Sequence, residues 1–295
     1  MSKNFDLALS VVIPTLGGES LDTTIAQLNR GTFVPREILV CIPEKEAPRV
    51  QNLGLPGVGI ILTNVRGQVA QRAIGFQKAA SELVLQLDDD VELKPDCLGQ
   101  MVRFLEQAGP GNAVGPVYID AHTGECVHKI NAGLKGWLQS VYAMIFCGAP
   151  WGVARMGRAT SIGVNYGVDW NYCRGKPSVE TDWLPGGCVL SFKNDLIRDS
   201  FFPFPGKAYC EDNIHSLLRK GKGIRHWVVP DARCAIEVPK SDFPDAAWRG
   251  STMARLYCTR LSHGSRWRAE IYSAFLRLHW LVLHMWGRTM KSSGR

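Results

Sequence analysis

The sequence lacks the cysteine and histidine patterns that mark zinc sites and disulfide frameworks. Its nine cysteines lie singly between Cys41 and Cys258, without a C-x-x-C pair, and no H-E-x-x-H occurs. Zinc ligands and disulfide frameworks are usually recognisable by such spacing and number. We therefore expect neither a structural zinc nor a fold that depends on disulfides.

Internal repeats, low-complexity stretches and long uncharged apolar runs are also missing. The N-terminal segment carries one basic residue, and its apolar run leads directly into a predicted strand, so we expect no cleavable signal and a cytoplasmic protein. The most apolar stretch, residues 271–286, is interrupted by Arg277, His279 and His284. A membrane-spanning helix needs about 20 mostly uncharged residues, which argues against a span here.

The net charge of +7 is unevenly distributed along the chain. From Arg249 onward nine Lys/Arg face one acid, Glu270, so this segment carries +8 and the preceding 248 residues about −1 (7 − 8). A basic tail on a neutral body is not typical of nucleic-acid binding, and we expect no such partner. Two basic amphipathic helices are predicted at 245–264 and 266–287. They either contact an anionic membrane surface or form a helix pair that is solvated or docks on the body.

Short apolar, β-branched runs alternate with amphipathic helical patterns in the first 120 residues. Strands are predicted at 7–15, 36–43, 58–64, 82–87 and 113–119, and helices at 18–31, 67–81 and 96–109. This alternation predicts an α/β fold with a mostly parallel central sheet and helices on both faces. Further on, a turn and strand are predicted at 181–192, a helix at 208–223 and one or two edge strands at 225–238. Residues 120–180 are predicted to form a loop-rich insertion near the active face.

Three consecutive acids, Asp88, Asp89 and Asp90, follow the strand predicted at 82–87. Alternate residues of an extended chain share a face, so Asp88 and Asp90 can converge while Asp89 points elsewhere. Two carboxylates without histidine or cysteine suit Mg²⁺ or Mn²⁺, and magnesium completes its shell with water and substrate phosphates. The alternative is a solvated acidic turn that caps the next helix.

A second acidic pair, Glu211 and Asp212, opens the helix predicted at 208–223. A carboxylate held at a helix N-terminus can act as a base toward a hydroxyl group. The alternative is a plain pair of first-turn acids that stabilises the helix dipole.

Four segments, in this order and spacing, resemble the family 2 inverting glycosyltransferases, which have the GT-A fold. They are SVVIPT (10–15), GQVAQRAIGFQKAASELVLQLDDDVELKPDCL (67–98), WLPGGCVLSFKNDLI (183–197) and CEDNIHSLLRKGKGIRHWVVPDA (210–232). The resemblance covers roughly residues 8–240. It implies a catalytic domain at 1–240, with a nucleotide-binding half to about residue 120 and an acceptor-side half beyond it. A C-terminal helical extension at 241–295 follows.

The resemblance also implies a function. The chain would transfer a sugar, with Mg²⁺ or Mn²⁺, from a nucleotide-diphosphate donor to a hydroxyl of a glycan or lipid-linked acceptor. The setting would be bacterial surface-polysaccharide synthesis at the inner face of the cytoplasmic membrane. Alternatives are a polyprenyl-phosphate sugar transferase and a non-catalytic scaffold with this fold.

Residue roles follow from the same resemblance. Asp90 would be the main metal ligand and Asp88 would lie near the metal or the ribose. Asp212 would be the base, and Glu211 would orient it or bind the acceptor. The donor-binding residues implied are Pro14, Thr15, Arg72, Asp88, Asp89, Trp183, Gly186 and Gly187.

Two positions depart from the family pattern. An Asp-rich turn is expected after the second strand, but the sequence reads CIPEKE, which leaves Glu44 as the nearest group to read the base. A histidine is expected after the last strand as a metal ligand, but the sequence reads CAIEVP, which leaves Glu237.

Overall fold

The structure is a computed structural model. It describes residues 7–51, 53–54, 56–204, 207–238 and 245–292, without the side chains of 245–246, 279 and 282–292.

The core of the fold is one mixed nine-stranded sheet. Its strands are β1 (Leu9–Pro14), β2 (Glu37–Pro43), β3 (Val58–Thr63), β4 (Leu83–Leu87), β5 (Glu92–Leu93), β6 (Asn112–Asp120), β7 (Val179–Thr181), β8 (Cys188–Phe192) and β9 (Arg225–Ile236). Their order is β3-β2-β1-β4-β8-β6-β9-β5, and β7 also pairs with β9. The first four strands are parallel, as are β6 and β9, whereas β8 runs antiparallel to both of its neighbours.

Eight α-helices lie among the described residues. They are α1 (Leu21–Arg30), α2 (Gln68–Lys78), α3 (Cys97–Ala108), α4 (Gly133–Cys147), α5 (Trp170–Cys173), α6 (Glu211–Gly221), α7 (Asp245–Leu261) and α8 (Arg266–Ser292). The strands and helices predicted in the first 120 residues are present, with ends that differ by at most three residues.

Helices cover both faces of the sheet because alternate strand side chains point to opposite sides. Val11 and Ile13 of β1 join the buried cluster that contains Ile25 of α1 and the apolar stripe of α3. Val12 of β1 packs with Phe76 of α2 on the other face. These strand residues are all fully buried, so the parallel half has a continuous apolar run in its sequence.

Two predictions are corrected by the fold. Strand β9 is not an edge strand, because it pairs with β6 on one side and with β5 and β7 on the other. The predicted loop-rich insertion contains the 15-residue helix α4. Its inward stripe consists of small residues, Gly136, Ser140, Ala143 and Cys147, so the large apolar residues give no helical period.

The basic tail packs against the rest of the chain through two helices. Cys258 of α7 joins Ile214 of α6 in one buried cluster, and Ala269 of α8 joins Cys147 of α4 in another. Within the described residues, neither helix of this tail nor any other is apolar over a length sufficient to cross a bilayer.

The packing of α2 on the sheet can be tested at Gly75. A Cβ atom there would lie 2.4 Å from Val12 Cγ1 and 2.7 Å from Cys41 Sγ, because α2 packs closely on β1 and β2. Gly75→Ala should therefore destabilise the protein by about 1–3 kcal/mol through overpacking. At Gly221, also helical, a Cβ meets nothing within 4 Å, so Gly221→Ala should be neutral or stabilising. Chemical denaturation measures both, and equal effects would contradict the packing.

Candidate active site

A cleft lies where the carboxyl ends of β1 and β4 meet the N-terminus of α6. It has two adjoining cavities, of about 850 Å³ and about 530 Å³. Asp88 and Asp90 line both cavities, whereas Asp89 lines only the larger one and Asp212 only the smaller one. The carboxylates therefore mark the junction of the two cavities, which is where ligands bind in sheets of this kind.

Arg72 lies beneath this junction and joins its two sides. Its side chain is 2% exposed. Nη2 donates to Asp88 Oδ1 (2.9 Å) and Nη1 donates to Glu211 Oε1 (2.8 Å). A buried guanidinium with two carboxylates fixes their positions, because each carboxylate would otherwise be a buried unpaired charge.

Polar side chains from β1 and α2 hold the rest of the larger cavity. Gln68 Nε2 donates to Asp88 Oδ1 (2.8 Å), and the Thr15 hydroxyl donates to Asp89. Gln71 Nε2 donates to the carbonyl oxygens of Thr15 (2.9 Å) and Cys41 (2.7 Å). These bonds tie the ends of β1, β2 and β4 into one rigid wall.

Two glycines bring the backbone close to the carboxylates. A Cβ on Gly186 would lie 2.5 Å from Asp212 Oδ1 and 2.8 Å from Glu211 Oε1. One on Gly187 would lie 3.4 Å from Asp88 Oδ2, and the Gly187 carbonyl accepts the Asp88 backbone N–H (2.8 Å). A side chain at position 186 would therefore displace the two acids, whereas a Cβ at position 187 would be in van der Waals contact with Asp88.

Burial controls the protonation of these acids. It raises the pKa of Asp88 to about 6, although Arg72 opposes the shift. Burial also raises the pKa of Asp212 well above its ordinary value, and the neighbouring Glu211 and Asp88 add to the effect. A carboxylate with a raised pKa is a stronger proton acceptor, which suits a general base.

Most of the site residues predicted from the sequence lie in the cleft. Those that line it are Pro14, Thr15, Asp88, Asp89, Asp90, Trp183, Gly186, Gly187, Glu211 and Asp212. Glu237 lines the smaller cavity and lies near enough to Asp90 to raise the pKa of that carboxyl, after the larger effects of burial and Asp89.

Three predicted residues have a different setting from the one expected. Arg72 contacts carboxylates below the cleft and not the open space where a phosphate would lie. Glu44 is exposed and lines neither cavity. Trp183 lines the smaller cavity but is buried, with its indole N–H donating to the Tyr166 carbonyl (2.9 Å), so packing accounts for most of its surface.

Sequence reasoning missed the cations and amides of the larger cavity. Arg49, Arg66 and Lys207 line it together with Gln68 and Gln71. The arginines come from the segments after β2 and β3, and Lys207 from the chain before α6. Only the position of Gln68, four residues before Arg72, carried a signal, because residues three or four apart share a helix face.

The donor set at the junction fits a divalent cation held partly by substrate. Among the described residues, no group of three or more His, Cys, Asp or Glu side chains could hold a metal. Asp88 and Asp90 meet the cleft as a pair, and Mg²⁺ takes one or two protein carboxylates and completes its shell with water and phosphates.

Comparison with known proteins gives a family-model match over part of the chain and a likeness in fold. Residues 10–148 match the family model "Glycosyl transferase family 2". The chain is similar to the crystal structure of GalNAc-T7 with UDP, GalNAc and Mn²⁺, with a TM-score of 0.60 and 17% identity over 87% of this chain and 48% of that chain. It is also similar to mannosyltransferase PcManGT from Pyrobaculum calidifontis in complex with GDP-Man and Mn²⁺, with a TM-score of 0.49 and 16% identity over 94% and 84% of the two chains. No curated protein matches.

The likeness to GalNAc-T7 confirms the predicted fold class, and the chain has the GT-A fold. The family-model match supports the resemblance to family 2 over residues 10–148. The chain spans about half the length of the GalNAc-T7 chain.

The Arg72 network can be tested by a double-mutant cycle. Arg72→Met should destabilise the protein by about 3–5 kcal/mol, because it leaves buried carboxylates without a partner. Adding Glu211→Gln removes one of those charges and should recover part of the loss. The control is Arg225→Met, which breaks an exposed pair with Glu180 and should have little effect. Additive effects of Arg72→Met and Glu211→Gln in denaturation experiments would contradict the network.

The raised pKa of Asp212 predicts a pH-dependent stability difference. Because folding favours the neutral carboxyl, wild-type stability falls as pH rises from the ordinary value of 3.8 through the folded pKa. Asp212→Asn should therefore be more stable than wild type at about pH 8, by on the order of 1 kcal/mol for each tenfold rise in proton affinity on folding. The stability advantage of Asp212→Asn should shrink toward about pH 4, which is near the ordinary pKa of an aspartate carboxyl. Metal-free denaturation measures it, and exposed Asp199→Asn, with no such advantage, is the control.

Proposed function

We propose that this chain, whose residues 10–148 match the model of glycosyl transferase family 2, is a metal-dependent inverting glycosyltransferase. It transfers a sugar from a nucleotide-diphosphate donor to a hydroxyl of a glycan or lipid-linked acceptor. The observation that carries this proposal is the placement of the acids. Asp88 and Asp90 lie at the junction of two cavities, and Asp212 lies in the second of them.

The larger cavity is the proposed site of the nucleotide diphosphate. Arg49, Arg66 and Lys207 line it and supply positive charge for phosphates, while Asp88 and Asp90 face it with negative charge. An anionic ligand would be repelled by these acids alone, so a cation between them and the phosphates is required. Bound by Asp88 and Asp90, Mg²⁺ or Mn²⁺ would act as a Lewis acid that stabilises the departing diphosphate.

The smaller cavity is the proposed site of the acceptor. Asp212 takes the proton of the acceptor hydroxyl as its oxygen bonds to the anomeric carbon, and the bond from that carbon to the diphosphate oxygen breaks. Arg72 holds Glu211 in place. Glu211 and Asp212 both lie close to the backbone of Gly186, which limits the directions in which the Asp212 carboxylate can point. The positive charge that develops on the sugar is of the kind that carboxylate pairs stabilise in glycosidases.

The inverting outcome rests on the availability of a base. A displacement in one step needs a proton acceptor on the acceptor side, and Asp212 meets that need with its raised pKa. The GT-A fold also carries retaining enzymes, so the fold alone does not decide the outcome. We further propose surface-polysaccharide synthesis at the inner face of the cytoplasmic membrane as the setting.

A second candidate is a polyprenyl-phosphate sugar transferase. Its acceptor is a phosphate that is already ionised, so it needs no strong base. The hydroxyl acceptor is favoured because a carboxylate that can take its proton, Asp212, lines the smaller cavity, and burial adds to the proton affinity of that carboxylate. Tolerance of Asp212→Asn would favour the phosphate acceptor instead.

The experiment combines thermal shift with turnover. Nucleoside diphosphates should raise the melting temperature only with Mn²⁺ or Mg²⁺, because ligand binding stabilises the native state. Asp90→Ala should abolish this metal-dependent shift. Asp212→Asn should keep it and lower sugar transfer by about 100-fold or more. Proton NMR of the product should show the configuration opposite to that of the donor.

Three results would count against the proposal. Absence of any nucleotide shift in the presence of metal would support a non-catalytic scaffold. Unchanged turnover in both variants would reject the assigned roles. Product with retained configuration would reject the inverting mechanism while leaving the transferase activity in place. Asp199→Asn is the control for the loss of an exposed carboxylate.

A further inference from the structure

Helix α4 has an inverted distribution of side-chain sizes. Its buried stripe consists of Gly136, Ser140, Ala143 and Cys147. Its large apolar side chains point outward and are 43–73% exposed: Leu134, Trp137, Leu138, Met144, Ile145 and Phe146. A helix on the surface of a soluble protein normally buries its large apolar residues, so this outward face requires a partner.

Helix α8 presents a second exposed apolar stripe. Trp267, Ile271, Phe275 and Leu278 follow one another at spacings of four, four and three, which places them on one helix face. They are 47–62% exposed, whereas Ala269 and Ser273 of the same helix are buried.

The two stripes form one continuous surface, which we call the α4–α8 surface. The Tyr142 ring lies 5.1 Å from the Phe146 ring and 5.2 Å from the Phe275 ring, so it bridges the two helices. Of the twenty exposed large apolar side chains among the described residues, thirteen lie at 134–153 or on α8. Such concentration marks a docking surface and not the ordinary scatter of surface apolar residues.

The exposed charges of α4 and α8 are mainly basic. Helix α4 carries Lys135 and no acid, and the described side chains of α8 include Arg266, Arg268 and Arg277 against one acid. That acid, Glu270, is paired with Arg266 (2.8 Å). The partner that fits this surface is therefore apolar and anionic together.

We infer that the α4–α8 surface docks on an anionic phospholipid bilayer, with both helices lying in the plane of the interface. Tryptophan, leucine and phenylalanine would enter the boundary between headgroups and acyl chains, and the basic residues would contact the anionic headgroups. A second copy of the chain fits less well, because a two-fold contact would bring two sets of cations together. At about 1.5 Å per residue, 15-residue α4 is too short to span about 30 Å of hydrocarbon.

This surface lies beside the acceptor side of the cleft. Ile162 and Val164 pack with Cys147 of α4 and Ala269 of α8, and the next residue, Asn165, lines the smaller cavity. Docking would therefore bring the cavity of Asp212 close to the bilayer. This consequence, which rests on the proposed function, favours an acceptor that is carried by a lipid.

The test is co-sedimentation of the full chain with vesicles of phosphatidylcholine alone or with one third phosphatidylglycerol. Wild type should bind the anionic vesicles. The double variant Trp137→Ser/Leu138→Ser should bind about tenfold less because it removes exposed apolar area. The charge variant Lys135→Glu/Arg277→Glu should bind the anionic vesicles at least about tenfold less than wild type does. On vesicles of phosphatidylcholine alone it should not differ from wild type. The matched control, Ile60→Gln/Leu62→Gln, removes exposed apolar residues from the strand β3 and should bind like wild type.

Two outcomes would overturn the inference. One is equal vesicle binding by wild type and the α4 variant. The other is sedimentation equilibrium showing a wild-type dimer that the α4 variant dissociates, with no lipid binding by wild type. Donor hydrolysis by water, measured without vesicles, separates this inference from the proposed function, because the α4 variant should keep the wild-type rate. Vesicle binding without any hydrolysis would leave the docking surface standing and reject the transferase.

Discussion

The site depends on one buried arginine. Arg72 joins Asp88 at the end of β4 to Glu211 at the start of α6, two residues that lie more than 100 positions apart in the chain. Without a cation between them, burial would drive these carboxyls toward the neutral state or push them apart. Taking three charged groups out of water is unfavourable, and their attraction offsets this only when the geometry is good. We therefore interpret the network as a means of positioning the acids and not as a source of stability for the fold.

The order of the strands explains why such a clamp is needed. The parallel half of the sheet ends with Asp88, and β8 enters beside β4 in the opposite direction. The chain that leads into β8 therefore arrives at the edge where β4 ends, and Gly186 and Gly187 lie there in contact with the acids. One edge of the sheet thus carries the carboxylates of the larger cavity together with Gly186, which lies close to Asp212, and Gly187, which lies close to Asp88.

The sequence predicted the strands and helices whose period is set by large apolar residues, and it predicted the acids because adjacent carboxylates after a buried strand are conspicuous. It did not predict the role of Arg72, because an arginine in a helix gives no sign of which charges will surround it. Arg49, Arg66 and Lys207 were missed for the same reason, since each comes from a different connecting segment. Helix α4 was missed because its buried stripe is made of small residues, whose pattern is weak in any sequence.

The cleft and the α4–α8 surface are both energetically unfavourable in the isolated chain. In each, a specific ligand would remove the unfavourable free energy. Partial burial raises the pKa of Asp88 to about 6, and a divalent cation would stabilise its ionised form. The outward face of α4 leaves large apolar side chains in water, and an interface would cover them. A sequence selected for stability alone would replace these residues by polar ones on α4 and by apolar ones around Arg72. The segment of Ile162, Val164 and Asn165 links the helices α4 and α8 to the smaller cavity. Transfer of a sugar from a soluble donor to an acceptor held at a membrane surface would account for this link.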